Sequence, residues 1–336
     1  MQGLENLGAT CSINSLVQII CRNDNLRNII MKYEMPEDTL VYHLKELLVL
    51  MHDEGKSLIP KKFIKKIFDT FKNIFNYGEQ LDIHELWIYI SDSIVNEINT
   101  KSNYHKQIST HKFKDNIENG VIIKDDIEFN KMLLSSNNLK DKFAYYNIKL
   151  NDNKTSEWQN SIQGFYLNII SCLECNNRLY NFEPFTTLNL NIIEKNMSIV
   201  DMIKQIYIIE YDCDWECEHC KRKTKNQKQT KLWNLPDVLF ITINRFTDLM
   251  RKNNNPININ DILNFNKGSI LSNTDIDKKY KLSSVGLHVG SLDSGHYMAI
   301  CNVGDNYYLY NDMLVKNIDN FTNNNSAAYM IVYSKL

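Results

Sequence analysis

The sequence contains no hydrophobic run that approaches the roughly 20 apolar residues needed to cross a bilayer. Its first residues, MQGLENLG, lack the basic and apolar regions of a secretory signal peptide. The net charge is only −2 over 336 residues, so no long-range attraction to nucleic acid or to a membrane surface is expected. These absences predict a soluble intracellular protein, cytoplasmic or nuclear, that binds neither nucleic acid nor membrane.

Internal repeats and a linker rich in proline, glycine and serine are also absent, so nothing in the composition divides the chain. Apolar residues recur at helical spacing after Cys11 and again in 38–55 and 81–98, which predicts helices over the first hundred residues. Residues 101–160 are polar and are expected to be irregular. Strand-like segments rich in Ile, Thr and Phe follow at 182–192, 238–246, 281–290, 296–303, 306–311 and 328–336. The predicted fold class is α+β, with a helical part and a mostly antiparallel β part around a cleft.

Cys11 stands at the expected start of the first helix, directly behind a turn that contains Gly8. A thiol at a helix N-terminus faces the positive end of the helix dipole and unpaired N–H groups, which favour the thiolate. The same N–H groups can stabilise an oxyanion that forms beside the sulfur. Cys11 is therefore a candidate nucleophile, and the alternative is a buried structural cysteine.

His296 opens a strand that returns after Gly304 and Asp305, and this hairpin supplies possible partners for the thiol. If those two residues form the turn, Asn311 becomes a diagonal neighbour of His296 on the same face of the sheet. The Asn311 carbonyl could then orient the imidazole toward a thiol. A longer loop or a bulge would reverse the parity and favour Asp312 instead.

Eight cysteines in a chain without a secretion signal favour catalytic or metal-binding roles over disulfides. Two C-x2-C pairs suit a structural zinc site with four thiolate ligands. The ligands are predicted to be Cys172, Cys175, Cys217 and Cys220. Cys213 and His219 lie close enough in sequence to replace one ligand, so the fourth position stays open at this point.

These segments together resemble the ubiquitin-specific protease family of cysteine deubiquitinases. The cysteine box GLENLGATCSINSLVQ (3–18) and the histidine box (280–312) are similar to the two signatures of that family. EQLDIHEL (79–86), LPDVLFITINRF (235–246) and the closing AYMIVY (328–333) match its intervening motifs in order. The resemblance extends from residue 3 to the end of the chain.

The resemblance implies a papain-like fold built as thumb, palm and fingers within one catalytic domain, 1–336. The expected parts are a helical thumb at 1–100, an irregular insertion at 101–160, zinc-tipped fingers at 161–235 and a palm at 236–336. The implied activity is thiol-dependent hydrolysis at the C-terminal glycine of ubiquitin, through a thioester. The expected partners are ubiquitin and ubiquitinated proteins, the chain acting as a monomer with zinc as a structural cofactor.

The same resemblance assigns roles to single residues. The implied catalytic set comprises the nucleophile, the general base, its orienting amide and an oxyanion-hole amide: Cys11, His296, Asn311 and Asn6. The residues expected to line the channel for the ubiquitin tail are Asp82, Glu85, Gly295 and Tyr297. Ubiquitin's tail carries arginines, for which carboxylates are suitable charge-assisted acceptors.

Three departures from the family pattern concern packing positions, namely Ser12, Leu81 and Leu86. None removes a group that transfers a proton, which argues against an inactive relative. Two other functions stay open: a ubiquitin-binding module without catalysis, and the same chemistry on a ubiquitin-like modifier. Another papain-like or transglutaminase-like family shares the Cys, His, Asn order, but the cysteine pairs and the cysteine box argue against it.

Overall fold

A computed structural model describes residues 1–51, 57–101, 138–151, 154–246, 251–266, 277–291 and 294–336. Most of the predicted insertion, residues 102–137, lies outside this description. The helices are α1 (Cys11–Arg22), α2 (Asp24–Lys32), α3 (Leu40–Leu50), α4 (Lys61–Thr70), α5 (Ile83–Ile98), α6 (Leu139–Leu150), α7 (Glu157–Ile162) and α8 (Ile199–Gln205). In the described part of the chain, no helix has the length and apolar character needed to span a membrane.

Side-chain caps explain where several helices begin. Asp82 precedes α5 and accepts hydrogen bonds from the His84 and Glu85 amides, which would otherwise lack partners. Asn23 separates α1 from α2 and caps α2 through the Leu26 amide. Helices α1 to α5 together confirm the predicted helical character of the first hundred residues.

The strands are β1 (Thr100–Lys101), β2 (Lys154–Thr155), β3 (Gly164–Cys172), β4 (Arg178–Phe185), β5 (Leu188–Asn191), β6 (Glu210–Tyr211), β7 (Glu216–Cys217), β8 (Arg222–Lys223), β9 (Asn226–Asn234), β10 (Val238–Asn244), β11 (Ile262–Asn264), β12 (Lys279–Gly290), β13 (Gly295–Val303), β14 (Asn306–Asn311), β15 (Leu314–Asn317) and β16 (Ala328–Lys335). The main sheet has the order β15-β14-β13-β12-β16-β10-β5, and β11 pairs with β12. Its described pairs are antiparallel except β10 with β5. A second sheet has the order β4-β3-β9-β6.

The main sheet separates two hydrophobic cores. Alternate residues of β13 point to opposite faces: Tyr297 and Ala299 contact the cluster formed by α1 to α5, whereas Ile300 belongs to the cluster that contains α8. Trp87 of α5 stacks on Phe240 of β10 with ring centroids 3.8 Å apart. The helical layer is therefore fixed to one face of the sheet, which brings α1 alongside β13.

Two observations differ from the predicted segmentation. The range 101–160, expected to be irregular, contains α6 and α7. Phe143 in α6 packs against Phe165 and Phe182 of the second sheet. These aromatic contacts stabilise a helix that the weak sequence periodicity did not indicate.

β5 lies within the predicted fingers, 161–235, yet it pairs with β10 in the main sheet. That range is therefore not one structural unit.

Candidate active site

A tight turn places Cys11 at the first position of α1. Gly8 and Ala9 have positive φ angles of 94° and 52°, and Thr10 precedes the helix. The side-chain oxygen of Asn6 accepts hydrogen bonds from the Gly8 and Thr10 amides over 3.0 and 3.2 Å. Glycine adopts this φ without steric cost, which explains its place in the turn.

The Cys11 thiol lies against the backbone of β13. The Tyr297 amide donates to Sγ over 3.5 Å, and because Tyr297 directly follows His296, this contact brings the thiol to the end of β13 that carries the imidazole. Burial raises the pKa of the Cys11 thiol; the Tyr297 amide opposes this effect, and the Asp312 charge adds to it. Burial therefore outweighs the N–H groups that favour the thiolate.

The imidazole is oriented by the neighbouring strand. In the β13–β14 ladder Val303 pairs with Asn306, so 304–305 form a two-residue turn and the predicted register is confirmed. His296 Nε2 donates to Asn311 Oδ1 over 2.7 Å. Because a neutral imidazole carries one N–H, this bond leaves Nδ1 as the basic nitrogen.

Asp312 joins the nucleophile turn to the end of β14. Its Oδ2 accepts from Asn6 Nδ2 over 3.0 Å, and its Oδ1 accepts from Asn14 Nδ2 over 2.8 Å. Its backbone carbonyl accepts from the Leu4 amide over 2.9 Å. Sequence reasoning weighed Asp312 only as another partner for the imidazole. Its position directly after β14 indicated that it lies near the active site, but the sequence does not show which segment its carboxylate contacts.

Asp82 and Glu85, both predicted to line a channel, lie at the start of α5 in different environments. Beyond capping α5, Asp82 accepts through Oδ2 from the hydroxyls of Tyr297 and Tyr329 over 3.1 and 2.7 Å. Burial, with a smaller contribution from Asp82, raises the pKa of both tyrosines, so the hydroxyls stay protonated and donate. Asp82 therefore connects α5 to β13 and β16, whereas Glu85 is exposed.

Gln80, just before α5, makes a second connection between this layer and β13, and sequence reasoning missed it. Its side chain donates to the Gly295 carbonyl over 2.7 Å and accepts from the Gly295 amide over 2.8 Å. A Cβ atom on Gly295 would lie 2.0 Å from His288 Nε2, so only glycine fits between these neighbours. The residue before His296 is thus held from both sides.

His288 packs next to Gly295 at this end of the sheet. Its protonation can be tested through the pH dependence of stability. Burial, together with the nearby Lys252 charge, lowers the pKa of His288 from 6.5 to about 4, so its imidazole is neutral in the folded protein. The unfolded chain binds this proton more readily. Stability is therefore lost as pH falls from about 6.5 to about 4.

We expect this loss to be shallower in His288→Gln than in the unmodified chain. Denaturant unfolding at several pH values measures both profiles, and parallel profiles would contradict the assignment.

The four predicted ligand cysteines form one cluster, with all Sγ atoms of Cys172, Cys175, Cys217 and Cys220 within 4.8 Å of one another. The separation of Cys175 Sγ and Cys217 Sγ is 3.6 Å, close to the ~3.8 Å edge of a tetrahedron with Zn–S bonds of about 2.3 Å. Neither Cys213 nor His219 belongs to this cluster among the described residues. The fourth ligand position, left open by the spacing, is thus occupied by a cysteine, and the set could bind a metal.

Comparison with known families decides the classification. A family model described as Ubiquitin carboxyl-terminal hydrolase matches residues 2–333. The chain belongs to this family. The resemblance drawn from the cysteine and histidine boxes is thereby confirmed.

Curated relatives of this ubiquitin carboxyl-terminal hydrolase family member differ in length. Ubiquitin carboxyl-terminal hydrolase 4 of Saccharomyces cerevisiae is 24% identical over 380 residues, which cover 99% of this chain and 39% of the relative. Usp2 of Drosophila melanogaster is 22% identical over 356 residues, covering 99% and 34%. A probable ubiquitin carboxyl-terminal hydrolase of Acanthamoeba polyphaga mimivirus is 26% identical over 335 residues, covering 88% and 70%. The chain thus spans about two fifths of the yeast relative.

Solved structures show the same fold. The Ubp8/Sgf11/Sus1/Sgf73 deubiquitinating module of SAGA bound to monoubiquitin matches with a TM-score of 0.71 at 19% identity, over 100% of this chain and 69% of the other. The module bound to ubiquitin aldehyde gives 0.71 at 20% identity, over 100% and 70%. The predicted α+β architecture is therefore confirmed.

Proposed function

We propose that this chain is a deubiquitinase that hydrolyses the isopeptide or peptide bond after the C-terminal glycine of ubiquitin. One observation carries the proposal. The Cys11 thiol lies beside the strand end that carries His296, whose ring is oriented by Asn311. A thiol, a base and an orienting amide in this arrangement are the parts that nucleophilic acyl transfer requires.

The first half of the reaction forms a thioester. His296 Nδ1 takes the proton of the Cys11 thiol, and the sulfur attacks the glycine carbonyl. The carbonyl oxygen becomes negatively charged near the turn that carries Asn6 and the first amides of α1. When the intermediate collapses, the imidazolium gives its proton to the leaving amine, which departs as a free lysine side chain or chain terminus.

The second half returns the enzyme to its starting state. Nδ1 of His296 takes a proton from water, and the resulting hydroxide adds to the thioester carbonyl. The carbon–sulfur bond breaks, ubiquitin leaves with a free carboxylate, and the thiol regains its proton. Because burial disfavours the Cys11 thiolate at rest, attack depends on transfer of the thiol proton to His296.

Glu85 is the residue best placed to accept the arginines of the ubiquitin tail, since it is exposed at the start of α5. Asp82, Gly295 and Tyr297 are also proposed to line the tail channel. The bonds of Asp82 to two buried tyrosines favour a role in fixing α5 to the sheet. Tyr297 is 6% exposed, so its contribution would come through its backbone.

Covalent capture tests this function directly. Ubiquitin that carries a C-terminal alkyne should become attached to the chain, and peptide mass mapping should locate the bond at Cys11. Matched probes made from ubiquitin-like modifiers measure selectivity in the same assay. A chain that binds ubiquitin but is never captured would instead be a non-catalytic ubiquitin-binding module.

For the cysteine cluster we propose zinc, because a set of four thiolates in tetrahedral arrangement favours this metal. Cys172, Cys175, Cys217 and Cys220 would hold the ion between the β3–β4 hairpin and the β7–β8 hairpin. The ion would supply a structural cross-link and would take no part in the hydrolysis, since all four ligand positions are filled by protein.

Replacing Cys175 with serine should lower bound zinc from about one ion per chain to below roughly 0.2, because a closed site depends on every ligand. Elemental analysis of the purified protein measures the content. The matched control is Cys213→Ser, which changes a nearby cysteine outside the cluster and should keep its zinc. Equal zinc in both variants would contradict the assignment.

A further inference from the structure

The segment of β13 that carries His296 lies beyond the ladder with β14. That ladder begins at the pair of Ala299 with Tyr310 and runs away from the imidazole. Residues 295–298 therefore pair with β12 at one edge and extend past the β14 ladder at the other. Backbone groups on the second edge need hydrogen-bond partners from elsewhere in the fold.

Two side chains supply such partners, one on each side of His296. The Gly295 amide donates to Gln80 Oε1 over 2.8 Å, and the Gly295 carbonyl accepts from Gln80 Nε2 over 2.7 Å. The Tyr297 amide donates to Cys11 Sγ over 3.5 Å. Backbone groups of residues two apart in a strand point to the same edge, about 7 Å apart. Gln80 and the Cys11 thiol therefore bind one edge of β13, directly before and directly after the imidazole.

The chemistry of Gln80 suits this contact. A primary amide offers an acceptor and a donor in one plane, so it can bind both backbone groups of a strand residue as a neighbouring strand would. Gly295 is also confined on one face, because a Cβ atom there would lie 2.0 Å from His288 Nε2. Gln80 itself is exposed, and exposed side chains contribute little to the stability of a fold. Its two bonds therefore affect the local position of β13 more than folding.

We propose that Gln80 is a positioning residue for His296. It fixes the backbone directly before the imidazole, while Asn311 fixes the ring through Nε2 over 2.7 Å. Together the two contacts hold Nδ1 where it can take the proton of the thiol. The inference rests on the proposed deubiquitinase function and adds a residue to its machinery. A displacement of reacting groups by about 1 Å can lower a rate by roughly 100-fold, so the role predicts a loss of turnover without a loss of binding.

The first experiment removes both bonds with Gln80→Ala. Turnover of ubiquitin that carries a C-terminal fluorophore should show a kcat lower by about 10- to 100-fold and a KM within about threefold of the unmodified chain. Glu79→Ala is the matched control. Glu79 is the preceding exposed residue, and its side chain accepts from Asn76 Nδ2. This control should retain the kcat of the unmodified chain.

The variant Gln80→Glu gives a readout that general disruption would not produce. Its ionised carboxylate can accept from the Gly295 amide but presents only an acceptor to the Gly295 carbonyl, whereas the protonated acid can donate and restore both bonds. Beside a carbonyl oxygen, its pKa should lie above the ordinary value of about 4.3. The ratio of capture rates by alkyne-terminated ubiquitin, unmodified chain over Gln80→Glu, should therefore fall as pH decreases from about 8 to about 5. The same ratio for Gln80→Ala should change little.

The outcomes separate the two proposals. Failure of alkyne-terminated ubiquitin to label the unmodified chain would overturn the proposed function and this inference together. Labelling combined with an unchanged kcat in Gln80→Ala would overturn the inference alone. A rise in KM without a fall in kcat would do the same, because Gln80 would then act in binding. If Gln80→Ala does not fold, the isosteric Gln80→Glu still decides, and a ratio that is independent of pH counts against the proposal.

Discussion

Replacing Cys11 with alanine is expected to reduce release of a fluorophore from the C-terminus of ubiquitin by a factor of roughly 10⁴ or more. The reason is that alanine removes the sulfur atom that is proposed to attack the carbonyl, while the rest of the site is unchanged. Cys11 is 3% exposed at the first position of α1, and replacing it with alanine removes only one sulfur atom from the buried side of the helix. Binding of ubiquitin should therefore be largely retained, which titration with labelled ubiquitin measures.

Cys21→Ala is the matched control for this variant. Cys21 lies at the other end of α1 and is 1% exposed, so it reports the effect of removing a buried thiol from the same helix. Its turnover should stay within a few-fold of the unmodified chain. Comparable turnover by Cys11→Ala and Cys21→Ala would show that Cys11 is not the nucleophile.

Replacing Asp312 with asparagine is expected to lower kcat by about 100-fold, the scale measured when one oxyanion donor is lost. The carboxylate accepts from the side-chain amides of Asn6 and Asn14. An asparagine has one oxygen, so one of these two amides would face an NH2 group and turn away. Asn6 would then no longer hold both the nucleophile turn and its own amide in place.

The same variant should also change the pH dependence of probe capture. This second effect distinguishes a positioning role from general disruption of the site. The Asp312 charge contributes to the raised pKa of the Cys11 thiol, so its removal should shift the pH profile of probe capture toward lower pH. A lower maximal rate together with a more acidic profile is the expected signature. Asp305→Asn, in the exposed turn at the other end of β14, should change neither quantity. An unshifted profile in Asp312→Asn would contradict this role.

The sequence predicted the local chemistry of the site well wherever a short pattern fixes the geometry. The Gly304–Asp305 turn determines the register of β13 and β14, and the register determines that Asn311 reaches His296. The two C-x2-C pairs likewise identified the cysteines that cluster. The first of these contacts lies within one hairpin. The cysteine cluster joins segments 42 residues apart, and the repeated C-x2-C spacing indicated that they meet.

Other contacts between distant segments escaped prediction because neither a local pattern nor a repeated spacing encodes them. The sequence does not indicate that Gln80 binds the backbone of Gly295. Nor does it indicate that Asp82 accepts hydrogen bonds from the hydroxyls of Tyr297 and Tyr329. Helix α6 was missed for a related reason, since its stability comes from packing on aromatic residues of the second sheet.

The sequence by itself determined the family, the fold class, the identity of the candidate nucleophile and base, and the four clustered cysteines. Tertiary structure alone decided that Cys11 meets the end of β13, that burial raises the pKa of its thiol, and that Asp312 holds Asn6. The physical reason is the separation in sequence between the residues that decide each feature. Helix starts, turns and strand registers depend on neighbouring residues, whereas desolvation and the partners of a buried carboxylate depend on which remote surfaces the folded chain brings together.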